Sequence, residues 1–214
     1  MRRTIRLIES VELYHGSPNT NIDKLRIGKE KTTGNEFGTG IYLTSNKSEA
    51  EGYAGNQGKV YKVLLDDTNL YNLSDPLTNS MKSMIKEDLI NNERIKNQIL
   101  ANNRKFYKVE DKREGQKFYN QKKSEWEEKD NIFLSNAPKV TKNNEQLYVI
   151  YTDYDSIDEA INKLNGEKLQ HILTGDIDPD VFVSIIIKSG FDGIIAHNDE
   201  WYILYKNEDK AKIV

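Results

Sequence analysis

The sequence predicts an α+β fold with a largely antiparallel or split sheet. Short apolar runs typical of strands lie far apart along the chain, helix signals lie between them at irregular places, and no internal repeat is present. The regular alternation of strands and helices that predicts a doubly wound sheet is absent. The length of 214 residues fits one domain, 1–214, with an insertion better than it fits two domains.

The first third of the chain supplies several predicted strands. Residues 4–14 alternate loosely and are partly β-branched, which predicts one or two short strands. Residues 41–44 form a short apolar run, and residues 60–65 alternate more clearly, so both segments are predicted strands. Between them, Ser45 or Asn46 can cap a helix that extends through Tyr53.

The middle of the chain is predicted to be a helical, charged insertion at residues 78–145. Apolar side chains between residues 81 and 100 recur every three or four positions, which indicates an amphipathic helix. Residues 102–131 contain little that could be buried and are expected to be helical and solvated, or partly disordered. Residues 81–123 contain 12 basic and 6 acidic side chains, with aromatic residues among them. This segment is either a solvated helical face or a surface for nucleic acid or another partner.

After the insertion, helix and strand signals return. Asp178 suits the N-cap of a helix and Pro179 its first position, and Gly190 marks the end of that helix. The other predicted elements are a strand at 146–151, a helix at 157–164, strands at 191–196 and 201–205, and a short strand that ends at Ile213.

Composition narrows the class of protein. The net charge of −3 argues against a general nucleic-acid binder. The absence of cysteine excludes disulfide bonds and thiolate zinc sites, and we expect no metal cofactor. No apolar run approaches the ~20 residues of a membrane helix, and the basic start lacks the apolar centre of a signal peptide. We expect a soluble, cytoplasmic protein without a membrane partner, and secretion by a route without a classical signal stays open.

Candidate functional residues are concentrated between residues 12 and 62. His15 ends an apolar run and is followed by Gly16 and Ser17, so its imidazole can point into a cleft. Glycine permits close approach of a ligand, and its N–H and C=O can pair with a carboxamide. The alternative is a structural histidine at a turn.

Two tyrosines, Tyr42 and Tyr53, flank the start of the predicted helix. A pair of tyrosines can hold a flat ring between them, and each aromatic pair contributes roughly 0.5–1.5 kcal/mol beyond burial. The chain contains 12 tyrosines, so ordinary packing is the competing interpretation. Glu200 begins an apolar strand, where its carboxylate could hold a ribose hydroxyl and stabilise positive charge. A plain exposed glutamate is the alternative there.

Taken together, these segments resemble the NAD site of ADP-ribosyltransferases of the poly(ADP-ribose) polymerase and diphtheria-toxin type, which a His–Tyr–Glu triad defines. The resemblance covers residues 11–65 and 186–214 and is strongest to bacterial or phage-borne toxin and effector members. The matching motifs are Tyr14-His15-Gly16-Ser17, Gly38-Thr39-Gly40-Ile41-Tyr42-Leu43-Thr44, Ala50-Glu51-Gly52-Tyr53-Ala54, Gly190-Phe191-Asp192-Gly193-Ile194-Ile195 and Glu200-Trp201-Tyr202-Ile203-Leu204-Tyr205.

The resemblance implies a role for each matching residue. His15 would hold the adenosine-side ribose hydroxyl, and the Gly16 backbone would pair with the nicotinamide carboxamide. Ser17 is a further implied cofactor-binding residue. Tyr42 and Tyr53 would stack on the nicotinamide ring. Glu200 would bind the nicotinamide-side ribose and stabilise the oxocarbenium-like state, so the implied catalytic residues are His15, Tyr42 and Glu200.

Two departures from the family pattern concern the carboxamide and the acid. The family's serine three residues before the second tyrosine is Ala50 here, and Ser48 could substitute. The strand after the acid also carries one extra residue, so Trp201 would take the acid's position unless a bulge restores Glu200. Asp199 is the alternative acid.

The resemblance implies a mono-ADP-ribosyltransferase with NAD as co-substrate, acting as a toxin or effector of toxin–antitoxin or phage-conflict type. Its target would be protein or nucleic acid, the latter through residues 81–123, and an antitoxin or immunity protein could bind it. Such a protein would act in the producing cell or be delivered to a target cell. The alternatives are a catalytically weak NAD-binding or interaction module on the same fold and, with less support, an RNA 2′-phosphotransferase. Arginine is disfavoured as acceptor because Asn198 replaces the first acid of Glu-x-Glu.

Overall fold

The computed structural model describes residues 5–6, 10–28, 36–89, 91–101, 104–109, 111, 113–117, 120–121, 139–143, 146–152, 157–174 and 178–214. The chain forms two compact units, residues 1–81 with 165–214 and residues 82–164. Among the described residues, no helix is long and apolar enough to cross a membrane.

Strands and helices are numbered in chain order over the described residues. The strands are β1 (Ile5–Arg6), β2 (Val11–Ser17), β3 (Ile41–Thr44), β4 (Lys59–Leu65), β5 (Asn69–Asn72), β6 (Arg104–Val109), β7 (Lys139–Asn143), β8 (Gln146–Thr152), β9 (Gly193–Ala196), β10 (Trp201–Leu204) and β11 (Ala211–Ile213). The helices are α1 (Lys47–Ala54), α2 (Asn79–Met84), α3 (Glu93–Ala101), α4 (Ile157–Asn162), α5 (Gly166–Thr174) and α6 (Pro179–Lys188), with a π-helical turn at Ile85–Leu89 and a 3₁₀ turn at Glu208–Lys210.

The first unit is built on an eight-stranded sheet in the order β1-β5-β9-β10-β3-β2-β4-β11. Neighbouring strands are antiparallel except β5 and β9, which are parallel. The predicted α+β fold with a mainly antiparallel sheet is confirmed. The predicted strands at 41–44, 60–65 and 201–205 are confirmed to within one residue at each end.

The sheet is split between β2 and β3. β2 pairs with β4 along its whole length, from Val11 opposite Leu65 to Ser17 opposite Lys59. β2 and β3, in contrast, share one register position, Tyr14 opposite Thr44. The two strands separate beyond this position, and the gap between them leaves room for side chains from β2 and β3.

A buried apolar cluster packs against the sheet of this unit. In β4 the buried positions Tyr61, Val63 and Leu65 alternate with more exposed ones, as the period of two along a strand requires, whereas β9 is buried at every position. Leu13, Leu43 and Val63 are fully buried, and they belong to one apolar cluster that includes Ile22, Leu25, Ile41, Tyr61, Leu65, Leu70, Ile195, Leu204 and Ala211. Ile194 and Ile203 alternate with the cluster residues Ile195 and Leu204 and are also fully buried, so β9 and β10 are covered on both faces.

Two helices of this unit begin as predicted. The Asn46 side chain accepts a hydrogen bond from the Ser48 N–H at the start of α1. Asp178 caps α6 in the same way through the Asp180 N–H, and Pro179 takes the first helical position. Both caps satisfy a backbone donor that the helix itself leaves without a partner.

Strand β5 and helix α5 were not predicted. β5 contains two apolar residues between asparagines, and its parallel partner β9 is more than 100 residues away, so local pattern carries little information about it. α5 follows directly after the predicted helix at 157–164 and buries Leu169, Ile172 and Leu173. Its N-terminus is held by the Asn165 side chain, which accepts from the Lys168 N–H.

The second unit contains strands as well as helices, which corrects part of the prediction of a helical insertion. Residues 104–109 form strand β6, so the expected helix over 102–131 is wrong there. Residues 113–117 and 120–121 are helical as expected, and residues 122–131 lie outside the described residues. β6 and β7 both pair antiparallel with β8, which had been predicted at 146–151. A strand needs partners for its backbone N–H and C=O groups, and β8 supplies them to both β6 and β7. The predicted continuous helix is also interrupted, by the π-helical turn at Ile85–Leu89.

A carboxylate near the C-terminus connects residues 26–27 to the end of the chain. Glu208 accepts hydrogen bonds from the Ile27 N–H at 3.1 Å and from the Arg26 guanidinium at 2.8 Å. The Ile27 N–H, with Arg26 beside it, holds the pKa of Glu208 below its ordinary value. A group with a depressed folded-state pKa stabilises above its unfolded-state pKa and loses that contribution as the pH falls through the folded-state pKa.

This contact predicts a pH-dependent contribution to stability. We expect the difference in unfolding free energy between wild type and Glu208→Gln to be largest near neutral pH. It should shrink toward zero below about pH 4, near the unfolded-state pKa of a glutamate. Urea denaturation of both proteins at pH 7 and at about pH 3 measures it. An equal difference at the two pH values would contradict the linkage.

Candidate active site

A cavity of about 210 Å³ lies at the split of the sheet, beside β2, β3 and α1. Tyr14, Thr44 and Trp201 occupy one register row across β2, β3 and β10, and all three line the cavity. The volume is below the roughly 300–1,000 Å³ of pockets for drug-sized ligands. The cavity can therefore enclose only part of a ligand of that size.

His15 lines this cavity and bridges the split. Its Nδ1 is 2.9 Å from the Tyr42 carbonyl oxygen, on the strand across the gap. A carbonyl only accepts hydrogen bonds, so this partner assigns the proton to Nδ1 and makes Nε2 an acceptor in the neutral ring. The side chain is 6% exposed, and the ring of Tyr61 on β4 lies 6.5 Å from its own. These contacts fix the orientation of the imidazole.

Gly16 also lines the cavity, and the structure gives a packing reason for this glycine. A Cβ atom on Gly16 would lie 1.8 Å from the Ala50 carbonyl oxygen and 3.0 Å from its Cα. Helix α1 therefore rests directly on the β2 backbone, which no larger residue permits. The close approach predicted at Gly16 is made by a helix of the protein itself.

Tyr42 forms a fixed wall of the cavity. Its hydroxyl donates to the Gly38 carbonyl at 2.7 Å and accepts from the Phe37 N–H at 3.2 Å. Burial raises the pKa of Tyr42 well above its ordinary value. The residue is therefore a neutral phenol at physiological pH, and its ring is held in place by the segment before β3.

Tyr53 and Trp201 form the more open wall. Their ring centroids are 5.5 Å apart and the rings meet edge to face, a favoured aromatic geometry. Tyr53 is 52% exposed, although large aromatic side chains are usually well covered. An exposed ring at the mouth of a cavity leaves a flat apolar face available to a ligand.

The two candidate acids lie outside the residues that line the cavity. The Glu200 carboxylate accepts from the Asn46 side-chain amide at 3.1 Å, and Asp199 accepts from Asn72 at 3.1 Å. β10 pairs residue by residue with β3 from Trp201 opposite Thr44, so the bulge that would restore Glu200 is absent. Trp201 takes the cavity position, as the count of residues along the strand had indicated.

The turn before Glu200 has an unusual backbone. His197, Asn198 and Asp199 have φ values of 52°, 56° and 67°. Non-glycine residues adopt this left-handed region singly as a rule, and each costs roughly 1–2 kcal/mol. Three in succession reverse the chain between β9 and β10 and place His197 at the cavity, where its ring meets Phe37 edge to face at 5.5 Å.

Comparison with models of protein families shows which family the chain belongs to. The family model described as ADP-ribosyltransferase in polyvalent proteins matches residues 9–213. The chain belongs to this family of ADP-ribosyltransferases. Members of the family use NAD as the donor of ADP-ribose. Comparison with curated proteins and with solved structures finds no match.

The fold of this ADP-ribosyltransferase brings most of the predicted site together. His15, Gly16, Tyr42 and Tyr53 surround one cavity although up to 38 positions separate them. Neither predicted serine lines it: Ser17 is buried and accepts from the Asn19 N–H, and Ser48 is exposed. Their predicted part in cofactor binding therefore has no support from this geometry.

Some residues of the transferase cavity were not predicted. Glu49, Glu36 and His197 line it in addition to the tyrosines. Glu49 precedes Tyr53 by four residues in the predicted helix, and residues i and i+4 lie on the same helix face. The sequence therefore contained a signal that Glu49 would face the same cavity as Tyr53. His197 and Glu36 had no such signal, since their placement depends on a strained turn and on a loop. Within the described residues, no cluster of His, Asp and Glu suited to a metal is found.

Proposed function

We propose that this chain cleaves NAD at the nicotinamide glycosidic bond and transfers one ADP-ribose unit to a macromolecule. The observation that carries the proposal is the convergence of His15, Gly16, Tyr42 and Tyr53 on one cavity in a member of an ADP-ribosyltransferase family. An aromatic slot with a few fixed polar groups is the usual form of a site for a flat polar ring.

In the proposed complex, nicotinamide enters between the rings of Tyr42 and Tyr53. The backbone of Gly16 pairs with its carboxamide, and His15 contacts a ribose hydroxyl on the adenosine side. Both His15 and Tyr42 are held by hydrogen bonds before a ligand arrives, so little conformational entropy is lost on binding. The site is thereby organised for positioning, which is a large part of catalysis in glycosyl transfer.

The reaction breaks the bond between the ribose anomeric carbon and the nicotinamide ring nitrogen. The electron pair of that bond stays on nitrogen, so nicotinamide leaves as a neutral molecule and positive charge appears on the ribose. An oxygen or nitrogen of the acceptor then bonds to the anomeric carbon and releases a proton to solvent. A carboxylate near the ribose favours this charge-separated state.

Glu200 stays the proposed acid for that task, with Asp199 as the alternative. Its carboxylate accepts a hydrogen bond from the side-chain amide of Asn46, the N-cap of α1. Contact with the ribose therefore requires the Glu200 side chain to rotate away from Asn46. We expect Glu200→Gln to bind NAD within about threefold of wild type and to cleave it about 100-fold more slowly, because the interaction develops in the transition state. Equal losses of affinity and turnover would contradict that role.

The target of the transfer is proposed to be protein or nucleic acid. The segment 81–123, with a net charge of +6, supports nucleic acid because basic side chains neutralise phosphates. A toxin or effector role in the cytoplasm, restrained by an antitoxin or immunity protein, is the biological setting that we propose. The match to transferases of polyvalent proteins supports this setting at the level of the family.

The proposal is tested with NAD carrying a label on its adenylate phosphate. The purified chain is incubated with labelled NAD and a cell lysate, and the products are treated with protease or with nuclease. We expect labelled macromolecules and released nicotinamide, both strongly reduced in Tyr42→Ala. Loss of label to nuclease alone would identify a nucleic-acid target, and loss to protease alone a protein target. Intact NAD without label would favour a binding module on the same fold.

A further inference from the structure

Glu49 is a cavity carboxylate to which neither the fold nor the proposed reaction has yet given a task. It lines the cavity in the first turn of α1. Its Oε2 atom is buried and has no hydrogen-bond partner among the described residues. A buried acceptor without a partner is unfavourable by roughly 1–3 kcal/mol, so a donor supplied by a ligand would be bound there with a gain.

The common structural task of a glutamate at this helix position is not performed here. Glu49 is the third helical residue after the N-cap Asn46, where a glutamate typically accepts from the N-cap backbone N–H. In this structure the Asn46 N–H donates instead to the Thr44 hydroxyl at 3.0 Å. The Glu49 side chain is therefore turned to the cavity, and the positive end of the helix dipole favours its negative charge there.

The neighbours of Glu49 identify which part of the ligand it would meet. Tyr53 lies four residues later, one turn along the same face of α1, and also lines the cavity. Ala50, the next residue, packs directly on Gly16. Glu49 therefore lies close to both the stacking ring and the Gly16 backbone. A substituent of a ring stacked on Tyr53 would point to this place.

We propose that Glu49 accepts a hydrogen bond from the NH₂ group of the nicotinamide carboxamide and so makes the site specific for the amide form of the dinucleotide. The inference depends on the proposed function, because it takes NAD as the ligand of this cavity. A carboxamide offers one acceptor and two donor hydrogens. The Gly16 N–H and C=O account for the oxygen and one hydrogen, and Glu49 Oε2 accounts for the second hydrogen.

The same arrangement rejects nicotinic acid adenine dinucleotide, in which a carboxylate replaces the carboxamide. That analogue presents two acceptors and a negative charge to Glu49 and to the Gly16 carbonyl. The analogue then offers no donor to Glu49 Oε2, and its carboxylate lies close to the carboxylate of Glu49, which it repels. Sites that bind a ligand donor discriminate strongly against analogues that lack it, because their own polar groups stay unpaired.

The test compares cleavage of the two dinucleotides by wild type and Glu49→Gln. In wild type we expect kcat/KM for NAD to exceed that for the carboxylate analogue at least about 100-fold. In Glu49→Gln the ratio should fall below about 10-fold, because a glutamine amide donates to the analogue and carries no charge. The matched control is Glu51→Gln, which removes an exposed glutamate two residues later that pairs with Lys47. Its ratio should equal that of wild type.

A second variant and a binding measurement test the role of Glu49 even if Glu49→Gln no longer cleaves either dinucleotide. Glu49→Ala removes both acceptor and charge, and its ratio of dissociation constants for NAD and the analogue should also fall at least tenfold from that of wild type. Melting temperatures confirm that both variants fold. An unchanged ratio in either folded variant overturns the role of Glu49. If wild type neither binds nor cleaves NAD, the proposed function itself fails, which is a distinct result.

Discussion

Replacement of Gly16 by alanine should destabilise the protein by about 3 kcal/mol or more and abolish NAD binding. The new methyl group would lie 1.8 Å from the Ala50 carbonyl oxygen, which is backbone and cannot rotate away. Overpacking of this kind costs typically 1–3 kcal/mol, and the upper end applies when a whole helix must move. Because α1 carries Glu49 and Tyr53, its displacement would also open the cavity.

Gly52→Ala is the matched control on the same helix. A Cβ atom on Gly52 would have no neighbour within 4 Å, and the residue is in the helix interior. Alanine should therefore stabilise the protein by about 0.5–1 kcal/mol through helix propensity. Urea unfolding of both variants, with NAD binding by calorimetry, measures the contrast. A loss below about 1 kcal/mol in Gly16→Ala would show that α1 is not seated rigidly on β2.

Replacement of Asp192 by alanine should lower the free energy of unfolding by about 3 kcal/mol. This carboxylate is 6% exposed and accepts from the Asn69 N–H at 3.0 Å and from the Asn207 amide at 2.7 Å. Lys206 and Lys210 lie 3.5 and 3.8 Å from its oxygens. Alanine removes the acceptor of the Asn69 N–H and of the Asn207 amide together with a nearby counter-charge of Lys206, which is more costly than loss of an exposed ion pair.

The control for Asp192 is Asp67, an exposed carboxylate that also pairs with Lys210 at 3.8 Å. Asp67→Asn should change stability by less than about 0.5 kcal/mol, because exposed ion pairs contribute little. Asparagine also tolerates the left-handed backbone at this position, where φ is 40°. Comparable losses in Asp67→Asn and Asp192→Ala would show that burial of Asp192 does not determine its contribution.

The segments that were predicted correctly share a local physical signal. The caps at Asn46 and Asp178, the alternation of β4 and the apolar run of β3 each depend on neighbours within a few residues. Side-chain periodicity and capping chemistry are properties of such short stretches. Strand β6 was missed because its charged composition favours a solvated helix, and only pairing with β8 makes it a strand.

The candidate site also contains residues that the sequence predicted and others that it did not. His15, Gly16, Tyr42 and Tyr53 were predicted from a family pattern, and they lie around one cavity. Glu49 was overlooked, because a glutamate at the third position of a helix is expected to cap it. Its orientation toward the cavity follows from the Thr44 hydroxyl, which takes the capping N–H. Such competition between two acceptors for one donor is visible only in three dimensions.

The sequence by itself determined the fold class, the family pattern and the residue types available at the cavity, because these follow from periodicity and from motifs in continuous segments. Tertiary structure alone decided which carboxylate meets the cavity. The register of β10 with β3 places Trp201 there, and the turn at 197–199 directs Glu200 to Asn46. Strand register depends on pairing between distant segments, and a shift of one residue exchanges the two faces of a sheet.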